Sequence, residues 1–412
     1  MKKRIEVCLG EGAIAIGTLA FEAKGNRKVA AFSYNESWLS NPDKFELSPD
    51  LPLVPGYQYR SNKVLGQSAF FDCFADVEPD GWGRMIIKRD YAKQRKASQE
   101  KNVSSELLND FDYLLWISDF SRVGAIRFRD DSGVFQRPSE GKNDIPQIIK
   151  LPHLLSATKA IEENRETAKD LAFLRGNGTS LGGMRPKCSI IDTDGTLAIG
   201  KFSSVKDMRS IVHGEVLALN LARAAGINAA KARVVDSEGV PVAVISRFDR
   251  VNNKRLMYLS ARSLMSAIPG EQYTYVQIAE TIRKYSCQAA SDLKELYQRM
   301  VFNILINNID DHLNNHGFLY NGRGQWKMSP AFDINPFPDK ERTLKTWISE
   351  DAGEDASLSE AGKVAPLFGL SSADASDIFN KQKDVISGWK SMAREIGMSA
   401  VDVEAYAPSF NL

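Results

Sequence analysis

Two stretches in the last third of the chain decide the fold, Asn307-Asn-Ile-Asp-Asp-His-Leu-Asn-Asn-His316 and Met328-Ser-Pro-Ala-Phe-Asp-Ile334. In the first, polar side chains crowd between an apolar helical segment, residues 300–306, and an apolar strand segment, residues 317–320. A polar cluster between apolar elements is costly to bury unless its groups are solvated, paired or bound to a metal. The stretch therefore predicts a functional loop, with an Asn- and Asp-rich capping turn as the alternative.

The spacing of the carboxylates and amides in these stretches favours phosphoryl transfer. Asp310 and Asn315 stand five residues apart, and Asp333 follows Asn315 by 18 residues, beyond a predicted hairpin. Phosphoryl transfer needs one carboxylate to orient or deprotonate the attacking hydroxyl, and an Asn and a second Asp to supply oxygen ligands to Mg²⁺. Kinases place these two ligands on either side of a short hairpin, as the sequence does here.

The two histidines of the first stretch raise a second possibility. His312 and His316 are four residues apart, which on a helix would suggest a pair of zinc ligands. The Asn-rich surroundings favour a loop instead, and no Cys or Glu stands at ligand spacing. We therefore expect His312 to be structural, with a hydrogen bond inside the loop.

A glycine-rich loop, Ser180-Leu-Gly-Gly-Met-Arg-Pro-Lys187, precedes a predicted hairpin. Its glycines would let the backbone approach phosphate oxygens, and its lysine would supply charge. The loop lacks the Walker A and dinucleotide-binding spacings, so a flexible surface turn is the alternative. Lys201 ends the next apolar strand segment, and a helix that contains Glu215 follows. A strand Lys on nucleotide phosphates, paired with a helix Glu, is the kinase arrangement; a snorkelling edge lysine is the alternative.

Length and composition limit the class of protein. The chain has 412 residues, 43% of them hydrophobic and 9% aromatic, which excludes a disordered tail or a small disulfide-stapled domain. Its 53 basic and 52 acidic residues give a net charge of +1, and proteins that bind nucleic acid unaided usually carry a basic excess. The four cysteines are widely spaced, which argues against zinc sites and disulfides and fits a cytoplasmic protein. Glu6 and Glu11 interrupt any signal-peptide core, and no apolar run reaches membrane-spanning length.

Hydrophobic periodicity divides the chain into a mixed first part and a mainly helical last part. Residues 1–35 alternate as short antiparallel strands, and residues 81–91 show helical spacing. A polar stretch over residues 130–152 predicts a boundary. Beyond it we predict two strand hairpins flanking an amphipathic helix that ends at Gly226, and a mostly helical pattern from Ser263.

Taken together, these pieces resemble the HipA family of serine/threonine kinases, the toxins of bacterial toxin–antitoxin pairs. The resemblance runs nearly end to end. FADVEPDGWGRMIIKR and SRVGAIRF are similar to the amino-terminal domain of the family, TSLGGMRPK to its phosphate loop, and AIGKF, HGEVLALNLARAAGI and VISRFDR to its small lobe and hinge. NNIDDHLNNHGFLY and MSPAFDINP are similar to its catalytic and metal loops. The D-x-H-x-x-N loop and the SPAFD segment, in this order and spacing, are the specific part.

The resemblance implies a role for each matching residue. Asp310 corresponds to the catalytic Asp, and the register to His312 and Asn315 selects it over the adjacent Asp311. Asn315 and Asp333 correspond to the Mg²⁺ ligands, and Ser180 to a serine whose autophosphorylation expels the loop and silences the enzyme. The residues expected to bind ATP are Gly182, Gly183, Lys187, Lys201, Ser246, Phe248 and His312.

The resemblance also implies an α+β fold, a bilobal protein-kinase-like architecture with an extra amino-terminal α/β domain. We predict that domain at 1–150, the kinase small lobe at 151–262 and a mainly helical carboxy-terminal lobe at 263–412. The cofactors would be ATP and Mg²⁺. The partners would be a helix-turn-helix, HipB-like antitoxin, operator DNA mainly through that antitoxin, and a protein substrate. By family analogy, that substrate is an aminoacyl-tRNA synthetase or another translation factor. Two alternatives remain, a catalytically silent interaction or corepressor protein and a small-molecule kinase.

Overall fold

The computed structural model describes residues 3–25, 27–62, 67–79, 81–99, 107–136, 148–175, 183–252 and 254–410. Within them the chain forms two compact units. The first comprises Met1–Lys206, Asp236–Val242 and Asp249–Tyr258, and the second comprises Asp207–Val235, Ala243–Phe248 and Leu259–Leu412. The predicted boundaries at residues 150 and 262 stay predictions.

The first unit opens with strands, as the alternation of residues 1–35 predicts. Its elements up to residue 206 are β1 (Lys3–Leu9), β2 (Ile14–Lys24), β3 (Arg27–Tyr34), α1 (Glu36–Leu39), β4 (Gln58–Ser61), α2 (Asp72–Ala75), α3 (Gly81–Gln99), α4 (Asp110–Leu115), β5 (Ile126–Arg129), a 3-10 turn (Ile148–Lys150), α5 (Leu151–Glu162), α6 (Ala168–Arg175), β6 (Lys187–Ile191) and β7 (Leu197–Phe202).

Strands β1 to β5 form one antiparallel sheet of order β4-β3-β2-β1-β5. Every second side chain of a strand points to the same face, and on one face aromatic residues build the core. The Phe21 ring lies 5.2 Å from that of Phe70 and 5.9 Å from that of Phe111. All three rings are buried, so apolar area removed from water stabilises the sheet against the segments that carry Phe70 and Phe111.

The remaining elements follow the predicted change to helix. They are α7 (Ile211–Ala224), β8 (Ala232–Ser237), β9 (Val240–Ser246), β10 (Arg250–Val251), β11 (Lys254–Arg255), β12 (Tyr258–Ser260), α8 (Ala261–Leu264), α9 (Tyr275–Tyr285), α10 (Ala289–Leu305), a 3-10 turn (Leu313–Asn315), β13 (Gly317–Gly322), β14 (Gln325–Met328), α11 (Leu358–Val364), a 3-10 turn (Ala365–Phe368), α12 (Ser372–Ser387), α13 (Trp389–Glu395), α14 (Ala400–Tyr406) and a 3-10 turn (Ala407–Phe410). Sheets of order β6-β7-β9-β8 and β12-β13-β14 accompany them.

Helix ends in the second unit have side-chain caps that the sequence supplies. Ser210 caps α7 through the His213 amide, and Thr274 and Gln277 form a reciprocal capping box on α9. Helix α10 carries the chain into the polar stretch 307–316. Near its start, the buried Asp292 accepts hydrogen bonds from the Met328 amide (3.0 Å) and the Ser286 hydroxyl (2.7 Å). These bonds tie α10 to the end of β14 and so fix the hairpin between the two polar stretches.

Among the residues described, no helix is both long and apolar enough to cross a membrane.

Candidate active site

The stretch 307–316 is a loop with one 3-10 turn, as its composition predicts, and joins α10 to β13. Asn307 begins it with a left-handed backbone (φ 54°), which asparagine tolerates better than most residues. Its side-chain Nδ2 donates to the carbonyl oxygens of Phe337 (2.6 Å) and Lys340 (3.1 Å), and its own carbonyl accepts from the Phe337 amide. The loop is therefore fixed at its first residue by the segment that follows Asp333.

Asp311 is the buried centre of this loop. Its side chain is 7% exposed, and Oδ2 lies 2.8 Å from Nε2 of His316 and accepts a hydrogen bond from the Tyr275 hydroxyl. Burial acts to raise the pKa of Asp311, but the charge and hydrogen bond of His316 and the bond from Tyr275 outweigh it and lower that pKa. The carboxylate is thus kept ionised inside the fold and already has its partners.

The same buried network continues through two asparagines. Asn303 Nδ2 donates to the Tyr275 hydroxyl (3.1 Å), and Asn308 Nδ2 donates to Asn303 Oδ1 (3.0 Å). Asn308 Oδ1 in turn accepts the backbone amide of Asn335 (3.3 Å). Sequence reasoning missed this network, and the signal that could have found it is Asn303, which interrupts the otherwise apolar end of α10.

Asp310 differs from its neighbour in every respect that matters for chemistry. Its carboxylate is 55% exposed, and Oδ1 lies 3.0 Å from Nζ of Lys345, which is itself 57% exposed. The segment of Lys345 is firmly seated, because the Lys345 amide donates to the Ile309 carbonyl (3.1 Å) and the Thr346 amide and hydroxyl both donate to the Asp311 carbonyl (3.1 and 2.8 Å). The fixed backbone therefore positions the Lys345 ammonium group beside the exposed Asp310 carboxylate. No sequence pattern singled out Lys345.

Asn315 and Asp333 flank the β13–β14 hairpin, as the spacing predicts. Asn315 is buried, and its Nδ2 donates to the Asp310 carbonyl (3.4 Å), which leaves its amide oxygen as the acceptor end of the side chain. Asp333 has a left-handed backbone (φ 57°), a strained conformation of the kind that clusters at functional sites. Its Oδ1 accepts from Nδ2 of Asn335 (3.3 Å), the residue whose amide bonds to Asn308. Hydrogen bonds thus join the loop of Asp333 to the loop of Asp310.

The ring hydrogen bond that the sequence predicted for His312 is made by His316 instead. The His312 backbone carbonyl accepts from the Asn315 amide (2.7 Å), but its ring Nδ1 is buried without a hydrogen-bond partner among the described residues. The hydrogen bond of a ring within the loop belongs to His316, which is 2% exposed.

Two predicted hinge residues lie in the same unit as Asp333, and one of them contacts its loop. The Ser246 amide donates to the Lys231 carbonyl (2.9 Å) at the end of β9. The Phe248 ring lies 5.4 Å from that of Phe332, the residue before Asp333. An aromatic side chain at the hinge therefore contacts the loop that carries a predicted metal ligand.

In the first unit, two predicted ATP-binding lysines stand side by side. Strands β6 and β7 pair antiparallel with Lys187 directly opposite Lys201, so the two side chains emerge on the same face. Lys187 is 6% exposed.

Four further predicted residues differ in what the structure offers. Gly183 is described, with φ +95°. Ser180 and Gly182 lie outside the described residues. Glu215, the helix residue expected to pair with Lys201, lies in α7 and is 3% exposed.

Comparison with known proteins identifies the family. The description "HipA N-terminal domain" matches residues 5–111, and "HipA-like C-terminal domain" matches residues 179–389, which is more than half of the chain. The chain belongs to the HipA family. The resemblance that the motifs suggested is thereby confirmed.

Relatives and solved structures agree with this assignment. The chain is 23% identical over 392 residues to a Sinorhizobium fredii protein named "Putative kinase Y4mE", covering 89% of this chain and 80% of that one. A similarly named Haemophilus influenzae protein is 29% identical over 109 residues, covering 23% of this chain and 32% of that one. A chain of the Shewanella oneidensis HipA, HipB and operator DNA complex superposes with a TM-score of 0.69 at 16% identity, over 98% of this chain and 95% of that one. The predicted α+β, kinase-like HipA fold is confirmed.

Proposed function

We propose that this HipA-family protein is an ATP- and Mg²⁺-dependent serine/threonine protein kinase that acts as a HipA-like toxin. The observation that carries the proposal is the contrast between two adjacent aspartates. Asp311 is buried and paired, whereas Asp310 is held at the surface of the loop with a lysine on one oxygen. A carboxylate that must accept a proton from a substrate hydroxyl has to be exposed and held in position, as Asp310 is.

The donor set of the loops suits magnesium. Asn315 presents an amide oxygen and Asp333 a carboxylate, and Mg²⁺ prefers such oxygen ligands. Among the described residues, no three His, Cys, Asp or Glu side chains form a metal-binding group. This fits Mg²⁺, which is usually held by one or two protein ligands together with water and substrate phosphates. When bound, the metal would neutralise phosphate charge.

Each residue then has a part in the transfer. Lys187 and Lys201 would hold phosphate oxygens, and the backbone near Ser246 and Phe248 would contact the adenine. Asp310 would orient the attacking Ser or Thr hydroxyl and accept its proton, and Lys345 would hold the Asp310 carboxylate in position. Positioning and charge neutralisation supply most of the catalysis in such a site.

Regulation and partners follow the family. Phosphorylation of Ser180 would place about −2 charge in the phosphate loop and so weaken ATP binding. A helix-turn-helix antitoxin would bind the protein and bring it to operator DNA. Support comes from the Shewanella oneidensis relative, whose structure was solved in complex with HipB and its operator DNA. The near-neutral net charge supports a division of labour in which the antitoxin makes most phosphate contacts.

Transfer of labelled phosphate from ATP tests the proposal. The Asp310→Ala and Asp333→Ala variants should stay folded and lose transfer by about a hundredfold or more, since the first removes the proposed general base and the second a proposed Mg²⁺ ligand. Asp351→Ala, at an exposed position of the same unit, is the matched control and should transfer at the wild-type rate. Full transfer by both site variants would overturn the proposal.

A second arm separates protein phosphorylation from the alternatives. Phosphorylated peptides that appear in cells expressing wild type, but not Asp310→Ala, would support a protein kinase. A stabilising shift with Mg·ATP but no transfer to any protein would favour a silent interaction protein or a small-molecule kinase.

A further inference from the structure

Helix α3 of the amino-terminal region begins against the end of the phosphate loop. The Trp82 amide, in the first turn of α3, donates to the Gly183 carbonyl at 3.0 Å. The Trp82 side chain is 2% exposed, so this helix start is anchored in the core. A backbone bond thus joins a family feature outside the kinase lobes to a residue predicted to contact ATP.

The fit at this junction leaves no room for a side chain. Gly81 has φ +34°, and a Cβ atom there would lie 2.5 Å from the Gly183 carbonyl oxygen, 2.7 Å from its carbonyl carbon and 2.8 Å from Sδ of Met184. Contacts to backbone atoms at such distances force something to move. The position of Gly183 therefore depends on residue 81 having no side chain.

Gly183 in turn borders a phosphate-binding lysine. A Cβ atom on Gly183 would lie 2.5 Å from Nζ of Lys187, so the ammonium group lies over the bare Cα of that glycine. Lys187 stands opposite Lys201 on the neighbouring strand. Contacts therefore run from Gly81 through Gly183 to the lysine pair.

The middle of α3 contacts the chain that precedes the phosphate loop, between α5 and α6. Arg89 donates to the Ile161 carbonyl (2.8 Å) and to Asn164 Oδ1 (2.8 Å), and contacts Glu166 (3.2 Å). Lys93 donates to the Glu166 carbonyl, and α3 packs along α6, the helix that leads into the loop. One helix of 19 residues thus contacts both the chain before the phosphate loop and the loop itself at Gly183.

We propose that α3 is a positioning element of the nucleotide site, with Gly81 as its critical residue. The inference rests on the proposed ATP-binding function and extends it to the amino-terminal region, which would set the place of Gly183 and thereby the Lys187 ammonium. The amino-terminal region is then a required part of the nucleotide site rather than an appended module.

The test compares three glycine substitutions in the full chain. Gly81→Ala adds a collision to a positive φ. Gly10→Ala adds an alanine at φ +69° in open space, and Gly12→Ala adds one in open space at an ordinary φ. Calorimetry with Mg·ATP should show Kd raised about tenfold for Gly81→Ala, since charge-assisted hydrogen bonds to phosphate are of that strength. Both controls should keep the wild-type Kd, and a wild-type Kd for folded Gly81→Ala would overturn the inference.

Two further measurements cover the other outcomes. If Gly81→Ala does not fold, Arg89→Met removes the contacts to Ile161, Asn164 and Glu166 from a partly exposed side chain and should raise Kd several-fold; an unchanged Kd would then reject the inference. Hydrogen exchange needs no nucleotide and should quicken at Trp82 and at residues 183–187 in Gly81→Ala. If wild type does not bind ATP, the proposed function fails, while this exchange result still decides whether α3 positions the loop.

Discussion

The proposed catalytic loop, residues 307–316, and the end of the proposed phosphate loop, residues 183–187, are held by different means. Side chains of the catalytic loop itself anchor it, through the buried carboxylate of Asp311 and the amides of Asn307 and Asn308. The phosphate-loop end is held from outside by backbone, through the Trp82 amide and the bare Cα of Gly81.

The two regions differ in which residues stabilise the fold and which are left available for binding or catalysis. In the catalytic loop one aspartate stabilises the fold so that its neighbour can remain exposed. At the end of the proposed phosphate loop, Lys187 stands opposite Lys201 on the neighbouring strand, and both are predicted to contact ATP. Substitution of the buried Asp311 should therefore damage folding, whereas substitution of the lysines in the second region should damage ligand binding.

The largest effect should come from Asp311→Ala. Removing one partner of a buried pair leaves His316 and the Tyr275 hydroxyl uncompensated, which costs about 3–5 kcal/mol. Urea unfolding measures the loss. Asp310→Ala is the matched control and should change the unfolding free energy by less than ~1 kcal/mol, because its pair with Lys345 is exposed. Equal losses in the two variants would contradict the division of roles.

On the phosphate side, Lys201→Met should reverse that pattern. We expect the Kd for Mg·ATP to rise at least tenfold, because hydrogen bonds to charged groups contribute about 1.5–3 kcal/mol. The unfolding free energy should change by less than ~1 kcal/mol, because the Lys201 side chain is only half-buried. Calorimetry and urea unfolding read the two quantities, with the exposed Lys206→Met as control. A large loss of stability with normal ATP affinity would make Lys201 a structural residue.

The pH dependence of stability should also run in opposite directions in the two units. Burial raises the pKa of Glu78, near the start of α3, to about 7, although Ser68 donates to it. Unfolding then releases a proton between pH 4.5 and 7, so this contribution to stability falls as pH rises through that range. Asp311 has a lowered pKa, so its contribution is present above about pH 4 and is lost as pH falls further.

Glu78→Gln tests the sign. At pH 8 the variant should be about 1–2 kcal/mol more stable than wild type, a discounted figure because Glu78 retains some solvent contact. At about pH 4 the two proteins should be equally stable, because Glu78 is then protonated in both the folded and the unfolded chain. Urea unfolding at both pH values provides the measurement, and a variant that is less stable at pH 8 would refute the assignment.

Local sequence predicted most of the fold. Alternation in residues 1–35 and the turn after Ile191 correspond to antiparallel pairs, and the helix predicted to end at Gly226 ends at Ala224, with Gly226 at φ +92°. These features depend on neighbours in sequence, where side-chain period and turn chemistry act directly.

The sequence predicted only those residues of the candidate site that lie close together in the chain. The register to Asn315 selected Asp310, and the exposure of its carboxylate agrees with that choice. Tyr275 and Lys345 reach the catalytic loop from 36 and 35 residues away, and Gly81 reaches Gly183 from another part of the chain altogether. No periodicity encodes such contacts, because they arise only when distant elements pack.

Lys345→Ala should have the smallest effect on stability. It also distinguishes most sharply between a residue that stabilises the loop and one that takes part in its chemistry. Its ion pair with Asp310 is exposed, so the unfolding free energy should change by less than ~1 kcal/mol. Lys363→Ala removes another exposed pair, 2.6 Å from Glu360, and should cost as little. Phosphate transfer should fall several-fold in Lys345→Ala alone and recover in Lys345→Arg, since an arginine can still reach a carboxylate from the same backbone. If transfer is unchanged in Lys345→Ala, the lysine beside Asp310 is a surface charge and the carboxylate is oriented by the loop alone.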